Sequence, residues 1–158
     1  MNIFFGMVKN NLSYTVLKEV GFKLLAEGRT IKIRAEGFSM YPAIKPGSVI
    51  FIEPFEKGSE PVPGQTIAWK KNSGFVVHRL VRSYNEGNNR YVITRGDSSP
   101  AEDDPVSAGQ VAGRVVRIED PEGKIIPFNH FPDKMPNYAF NRFLVKIILQ
   151  IYRIKRFF

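Results

Sequence analysis

The sequence predicts a mainly β protein: an antiparallel, partly closed β core between an N-terminal helix and a C-terminal amphipathic helix. Three observations predict it. From residue 30 onward, short runs rich in β-branched and aromatic residues follow one another. Gly, Pro, Asn and Asp punctuate them, as in Lys45-Pro46-Gly47, Val62-Pro63-Gly64 and Pro121-Glu122-Gly123, at a spacing that leaves no room for helices between parallel strands. Two segments outside these runs carry helical spacing instead.

Residues 11–27 form the first of these. Val16, Val20 and Leu24 recur every four residues, joined by Leu17 and Leu25. Asn11 or Ser13 can cap its start, Gly28 stands where a C′ glycine belongs, and Gly21 weakens it. The strand runs follow: TIKIRAEG, with period-two alternation, then SVIFIEP, QTIAWK, GFVVHRLVRSY, RYVITRG and QVAGRVVRIED. Residues 137–158 are helical again. Arg142, Lys146, Gln150 and Arg153 share one stripe; Phe143, Leu144, Ile147, Ile148, Ile151 and Ile154 cover the opposite side, and Lys155 and Arg156 follow. Two placements fit: in the plane of a membrane interface, or docked on the core with the basic edge in water. A cationic end without acidic residues favours an anionic surface. The organisation is one domain with appendages: 1–29 an N-terminal helical segment, 30–130 a β-rich core, and 131–158 a basic amphipathic helix.

Composition removes several classes of chemistry. The 158 residues include no cysteine, which excludes disulfides, thiolate nucleophiles and cysteine metal sites. There is no His-x-x-x-His pair, the acidic stretch from Asp97 to Asp104 departs from the EF-hand ligand order, and no Gly-rich phosphate cradle is present, so neither metal nor cofactor is expected. The formal charge of +8 (23 Lys and Arg against 15 Asp and Glu) suits nucleic acid, anionic lipid or an acidic partner. The C-terminal stripe is too apolar for a phosphate-tracking arm, so nucleic acid is not expected. The opening MNIFFGMVKNN has too short an apolar run for a signal-peptide core and no basic n-region. No apolar run reaches the roughly 18 residues a spanning helix needs.

Chemistry-bearing residues are few. In EGFSMYPAIKPGSVIFIEP, Glu36 to Pro54, Gly and Pro make a turn, which does not require a bulky Met40 beside Ser39. Ser39 is a cap or a nucleophile. Of the two histidines, His130 in PFNHFPDK reads as structural or solvated. His78 lies in a strand where Phe75, Val77 and Arg79 share one face and Val76, His78 and Leu80 the other, so it points with apolar neighbours toward a core or a cleft. Asp97, Glu102, Asp103 and Asp104 crowd the next loop, Thr94 to Pro105, as turn formers or as orienters of an imidazole. A serine hydroxyl needs a base at neutral pH, and that base needs a carboxylate to fix its tautomer and support the imidazolium. Lys70 and Lys71 are rival bases; a solvated hairpin tip is the plainer reading of both.

The order of five short stretches is more specific. GFSMYP, TIAWK, VVHRLV, the loop Thr94-Arg95-Gly96-Asp97 with its acidic continuation to Pro105, and VAGRVV resemble the successive boxes of the type I signal peptidase family, over roughly residues 30–117. That family sets its nucleophile in a Ser-Met-x-Pro turn and its base on a later strand, and a Gly-Asp loop follows. The serine-to-base interval is 78 − 39 = 39 residues. With His78 where bacterial leader peptidases and the SOS-repressor autoproteases carry lysine, the chain resembles the histidine-bearing branch. The resemblance implies the signal-peptidase and SOS-repressor type of β core. It implies Ser39 as nucleophile, His78 as general base and Asp103, six residues after Asp97, as third member. Asp97, the Gly-Asp residue, stands close behind as a catalytic candidate, and a one-residue slip would substitute Asp104. Met40 would shape a small P1 pocket, and the Ser39 N–H would meet the oxyanion. Gly37 offers no side-chain hydroxyl there. Gly37, Phe38 and Met40, with Phe75, Val76 and Val77, would line a site for an extended peptide added as a strand between the strand before Ser39 and the one carrying Phe75 to Val77. Small residues at P1 and P3 are implied.

The family's usual membrane anchor before the serine is replaced here by the amphipathic segment 11–27, and only short connections separate the boxes. The expectation is a serine endopeptidase held peripherally on a membrane, at its cytoplasmic side, by the C-terminal helix, acting on a peptide or preprotein. The alternatives are a cytoplasmic placement, and a non-catalytic peptide-binding or regulatory homologue.

Overall fold

The computed structural model describes residues 4–5, 11–71, 74–127 and 135–155, with the backbone alone described for 4–5 and 11–18. The first helix, α1 (Asn11–Ala26), ends on Gly28 at φ 82°. There the N–H of Gly28 bonds the carbonyl of Leu25 and that of Arg29 bonds Leu24, the paired bonds of a Schellman close. Whether Asn11 or Ser13 caps the start, and what His130 does, lie outside the described side chains.

Among the described residues nine strands make one sheet: β1 (Phe4–Phe5), β2 (Ile31–Arg34), β3 (Val49–Glu53), β4 (Thr66–Lys71), β5 (Gly74–Glu86), β6 (Asn89–Arg95), β7 (Val106–Ser107), β8 (Val111–Glu119) and β9 (Ile125–Pro127). Their order is β1-β2-β3-β8-β4-β5-β6-β7, with β9 added to β8. All pairs are antiparallel except β1 with β2. The expectation of partial closure does not hold. The sheet is open, with β1 and β7 at its two ends, although register shifts at Phe51/Ile52, Ala68/Trp69 and Leu80/Arg82 bend it.

Alternation along the strands divides the core. Ala68 joins Leu24, Leu25, Ile31, Met40, Ile50, Ile52 and Ile118 beneath α1, while its neighbours Ile67 and Trp69 join Leu80, Val92 and Val106 in a second cluster. Each fully buried Leu or Ile here contributes about 1.5–3 kcal/mol. Gly21, which costs α1 helical propensity, has a packing reason: a Cβ there would lie 3.2 Å from the Phe75 ring. The close approach lets Phe22 stack on Phe75 with centroids 4.0 Å apart.

Two features position the site. The 13-residue β5 changes partner midway. Gly74 to Arg79 pair with β4, and pairing with β6 begins only at Arg79, so among the described residues Gly74–His78 keep one unpaired edge. The chain between β2 and β3 forms the Ser39 turn, which includes a cis Tyr41–Pro42 peptide. After β9 the chain returns as α2 (Tyr138–Lys155), opened by Asn137, whose side-chain oxygen accepts the Phe140 N–H at 3.1 Å.

Candidate active site

Three elements converge on one point. The turn after β2 presents Ser39 at the surface, while the next residue, Met40, turns inward and is buried in the core under α1. That division explains a bulky apolar residue beside the serine: it anchors the turn. Residue 78 on β5 carries the imidazole across to it. His78 Nε2 lies 3.1 Å from Ser39 Oγ, and Nδ1 lies 2.7 Å from Asp103 Oδ2. The imidazole is mostly enclosed, its side chain 13% exposed.

Asp103 is held by β6. Thr94, fully buried, donates its hydroxyl to Asp103 Oδ2 at 2.6 Å, and the Thr94 carbonyl accepts the Asp103 N–H at 2.8 Å. Burial pushes the Asp103 carboxyl up, but the hydrogen bonds from His78 and Thr94, with electrostatic support from His78 and Lys71, bring it below the usual carboxylate range. The group is therefore an acceptor only at neutral pH. Nδ1 must then carry the ring proton, which leaves Nε2 as acceptor for the Ser39 hydroxyl.

Asp97 does not reach the imidazole, which corrects its candidacy as a catalytic carboxylate. It is 1% exposed and forms a fork with Arg79, Nε to Oδ1 at 2.8 Å and NH2 to Oδ2 at 2.7 Å. Arg79, 3% exposed, also donates to the Gly64 carbonyl at 2.7 Å. The alternation of β5 forces this: His78 and Arg79 point to opposite faces, so the carboxylate that serves one cannot serve the other. Asp104 is exposed, and Glu102 pairs with Arg82.

The Asp97 loop nevertheless braces the Ser39 turn. Ser98 donates its N–H to the Ser39 carbonyl at 2.9 Å and its hydroxyl to the Phe38 carbonyl at 2.6 Å. Gly96 makes room, since a Cβ would sit 2.7 Å from the Ser39 carbonyl oxygen. Asn141, buried on α2, donates to the Asp97 carbonyl at 3.1 Å. Sequence reasoning does not single out Thr94, Gly96, Ser98 or Asn141. An arginine in the apolar run VVHRLV is the one usable signal, because a buried guanidinium demands a carboxylate.

Neither Lys70 nor Lys71 bonds Ser39 among the described residues, and Lys71 touches the site only through its charge on Asp103. Lys70 bonds Glu19 at 3.0 Å and lies over the Phe22 ring. Lys71 lies 6.0 Å from the Trp69 ring centroid. Of the expected peptide-lining residues, Gly37 and Phe38 flank Ser39, and the Phe75 and Val77 side chains pack on the core beneath α1. Val76 packs on the second cluster. What Phe75, Val76 and Val77 leave open is backbone. Among the described residues no group of three His, Asp or Glu could hold a metal ion. No helix among them is long and apolar enough to cross a membrane. No family model matches the chain, and neither does any curated protein.

Proposed function

We propose that the protein is a serine endopeptidase of the type I signal peptidase kind, which cleaves an extended peptide after a small residue. The observation that carries the reading is the chain of contacts Ser39 Oγ–His78 Nε2 and His78 Nδ1–Asp103 Oδ2, at 3.1 and 2.7 Å. Those are hydrogen-bonding distances for a nucleophile, its base and the orienter of that base.

The steps follow from the atoms. Ser39 Oγ attacks the scissile carbonyl carbon while its proton passes to His78 Nε2. The imidazolium so formed is stabilised by the Asp103 carboxylate. The developing oxyanion is met by the N–H of Ser39, which has no acceptor among the described residues. The C–N bond breaks, His78 returns the proton to the leaving amine, and an acyl-Ser39 remains. Water, deprotonated by the same base, then releases the new carboxylate. Met40, fixed in the core, floors the position next to the nucleophile and favours a small side chain there. The unpaired edge of Gly74–His78 offers main-chain donors and acceptors to a peptide lying alongside.

A fluorophosphonate probe tests the reading without knowledge of the substrate. The expected result is one phosphonyl group on Ser39 in peptide mapping, lost in Ser39→Ala and in His78→Ala. Absence of labelling in folded protein, together with retained binding of extended peptides, would replace the enzyme by a non-catalytic peptide-binding homologue.

A further inference from the structure

α2 touches the site with one face and leaves another bare. At about 100° per residue, its side chains fall into three stripes roughly 120° apart. The first faces the body through the N-terminal part of the helix: Tyr138 lies under the Arg95 guanidinium at 3.9 Å and the buried Asn141 holds the Asp97 carbonyl, while farther along Tyr152, 61% exposed, comes within 6.4 Å of the Phe38 ring. The second is cationic: Arg142, Lys146 and Arg153. The third is apolar and in water: Phe140, Phe143, Ile147, Ile151 and Ile154 are 55, 59, 41, 48 and 58% exposed. An apolar row from Phe140 to Ile154, about 21 Å long, is far from the scattered single exposures normal on a surface.

We propose that α2 is an interfacial helix that seats the protein in the plane of an anionic lipid surface, with the Ser39 turn held beside that surface. Lipid is favoured as the occupant by charge. The cations flank the apolar row, α2 contains no acidic residue, and the whole chain carries +8. A second copy would bring the same uncompensated charge to the contact. Duplex DNA would meet a row of Phe and Ile between itself and the cations. The body-facing contacts make the placement specific, because Tyr138 on Arg95 and Asn141 on the Asp97 loop fix which way the lipid-facing stripe looks. The inference stands on α2 alone and does not need Ser39 to be a nucleophile.

The test is co-sedimentation of the full chain with phosphatidylcholine vesicles, with and without phosphatidylserine. Binding is expected only with the anionic lipid, and it should fall as salt rises. Phe143→Glu with Ile147→Glu should abolish it. Arg142→Gln with Lys146→Gln and Arg153→Gln should weaken partitioning on the order of 100-fold, each cation near the surface being worth about a factor of five. The altered positions are solvent-facing, and unchanged emission from the buried Trp69 reports an intact fold. Equal binding to both vesicle types would overturn the proposal, as would binding indifferent to Phe143→Glu and Ile147→Glu. So would a lipid-free dimer that those changes dissociate, or tighter binding to duplex DNA than to anionic vesicles. Ser39→Ala should bind vesicles as the wild type does, which separates this result from the fate of the catalytic reading.

Discussion

Replacing Asp103 by Asn probes the candidate site where its geometry is most specific. Oδ2 of Asp103 accepts from both His78 Nδ1 and the Thr94 hydroxyl. In the amide, the one position that both donors reach holds either the oxygen, which keeps Nδ1 protonated but without the carboxylate charge that stabilises the imidazolium, or the NH2 group, which makes Nδ1 an acceptor. In the second case the ring proton moves to Nε2, which then points a donor at Ser39; in either case His78 is a poorer base for the Ser39 proton. The corresponding change in a Ser-His-Asp triad lowers the rate about 10⁴-fold, about 5.5 kcal/mol of transition-state stabilisation. Fold stability should change by only about 1.5–3 kcal/mol, the scale of one hydrogen bond to a charged group. The assay is the rate of fluorophosphonate labelling of Ser39, with a urea titration in parallel. Asp104→Asn, at the exposed neighbour, should leave the rate within about two-fold. A labelling rate for Asp103→Asn within a factor of about ten of wild type, in folded protein, would refute the assignment of Asp103 as orienter. A selective loss in Asp104→Asn would move the role one residue along.

Asp97→Ala should act on folding rather than on the imidazole. It strands the Arg79 guanidinium at 3% exposure, and breaking such a buried pair costs about 3–5 kcal/mol. Adding Arg79→Met should recover part of that in urea denaturation, and a single-variant loss below about 1 kcal/mol would contradict the burial argument. The pH dependence follows from Asp103. Its folded carboxyl lies below the ordinary value, so its stabilising contribution is full above the unfolded carboxylate pKa, about 4, and is lost as pH falls through the folded one. Urea midpoints taken from neutral pH downward should therefore fall more steeply below about pH 4 for wild type than for Asp103→Asn; parallel curves would show that the carboxyl is not held by His78 and Thr94.

Much of this arrangement is legible in the residues. Six strand runs and both helices stand where the period-two and four-residue spacings put them, because each buries one face and exposes the other. The short strands β1, β7 and β9 escape such reading, since two or three residues carry no period. The legible parts of the site, Ser39, His78 and the acidic loop, are those whose chemistry is rare in their local setting. Asp97 and Asp103 are not separable in sequence, because both sit in one loop and only three-dimensional pairing assigns one to Arg79 and the other to His78. The bracing by Thr94, Ser98 and Asn141 is invisible for a related reason. A Thr in a strand, a Ser in a turn and an Asn in a helix look alike wherever they occur, and their partners lie 9 to 60 residues away.

The parallel strand β1 supplies a last consequence. Phe4 and Phe5 pair with Lys32 and Ile33 on the outer edge of β2, the strand that leads into the Ser39 turn. A peptide that joins this strand would need that edge, so β1 competes with it. Two residues of ladder hold β1 by a few hydrogen bonds, each worth about 0.5–1.5 kcal/mol net. Displacing them raises the apparent KM of a peptide by about 10-fold at the least on that scale. Removal of residues 1–6 should therefore lower KM by about that factor with kcat unchanged, measured on a peptide selected from a cleavage library. Fluorophosphonate labelling should not respond, since the probe needs Ser39 and His78 but no strand partner. Labelling that changes in step with peptide cleavage would mean that the truncation disturbs the Ser39 turn itself. An unchanged KM would mean that the substrate does not lie along β2, which would leave the free edge of Gly74–His78 as the sole main-chain partner for the peptide.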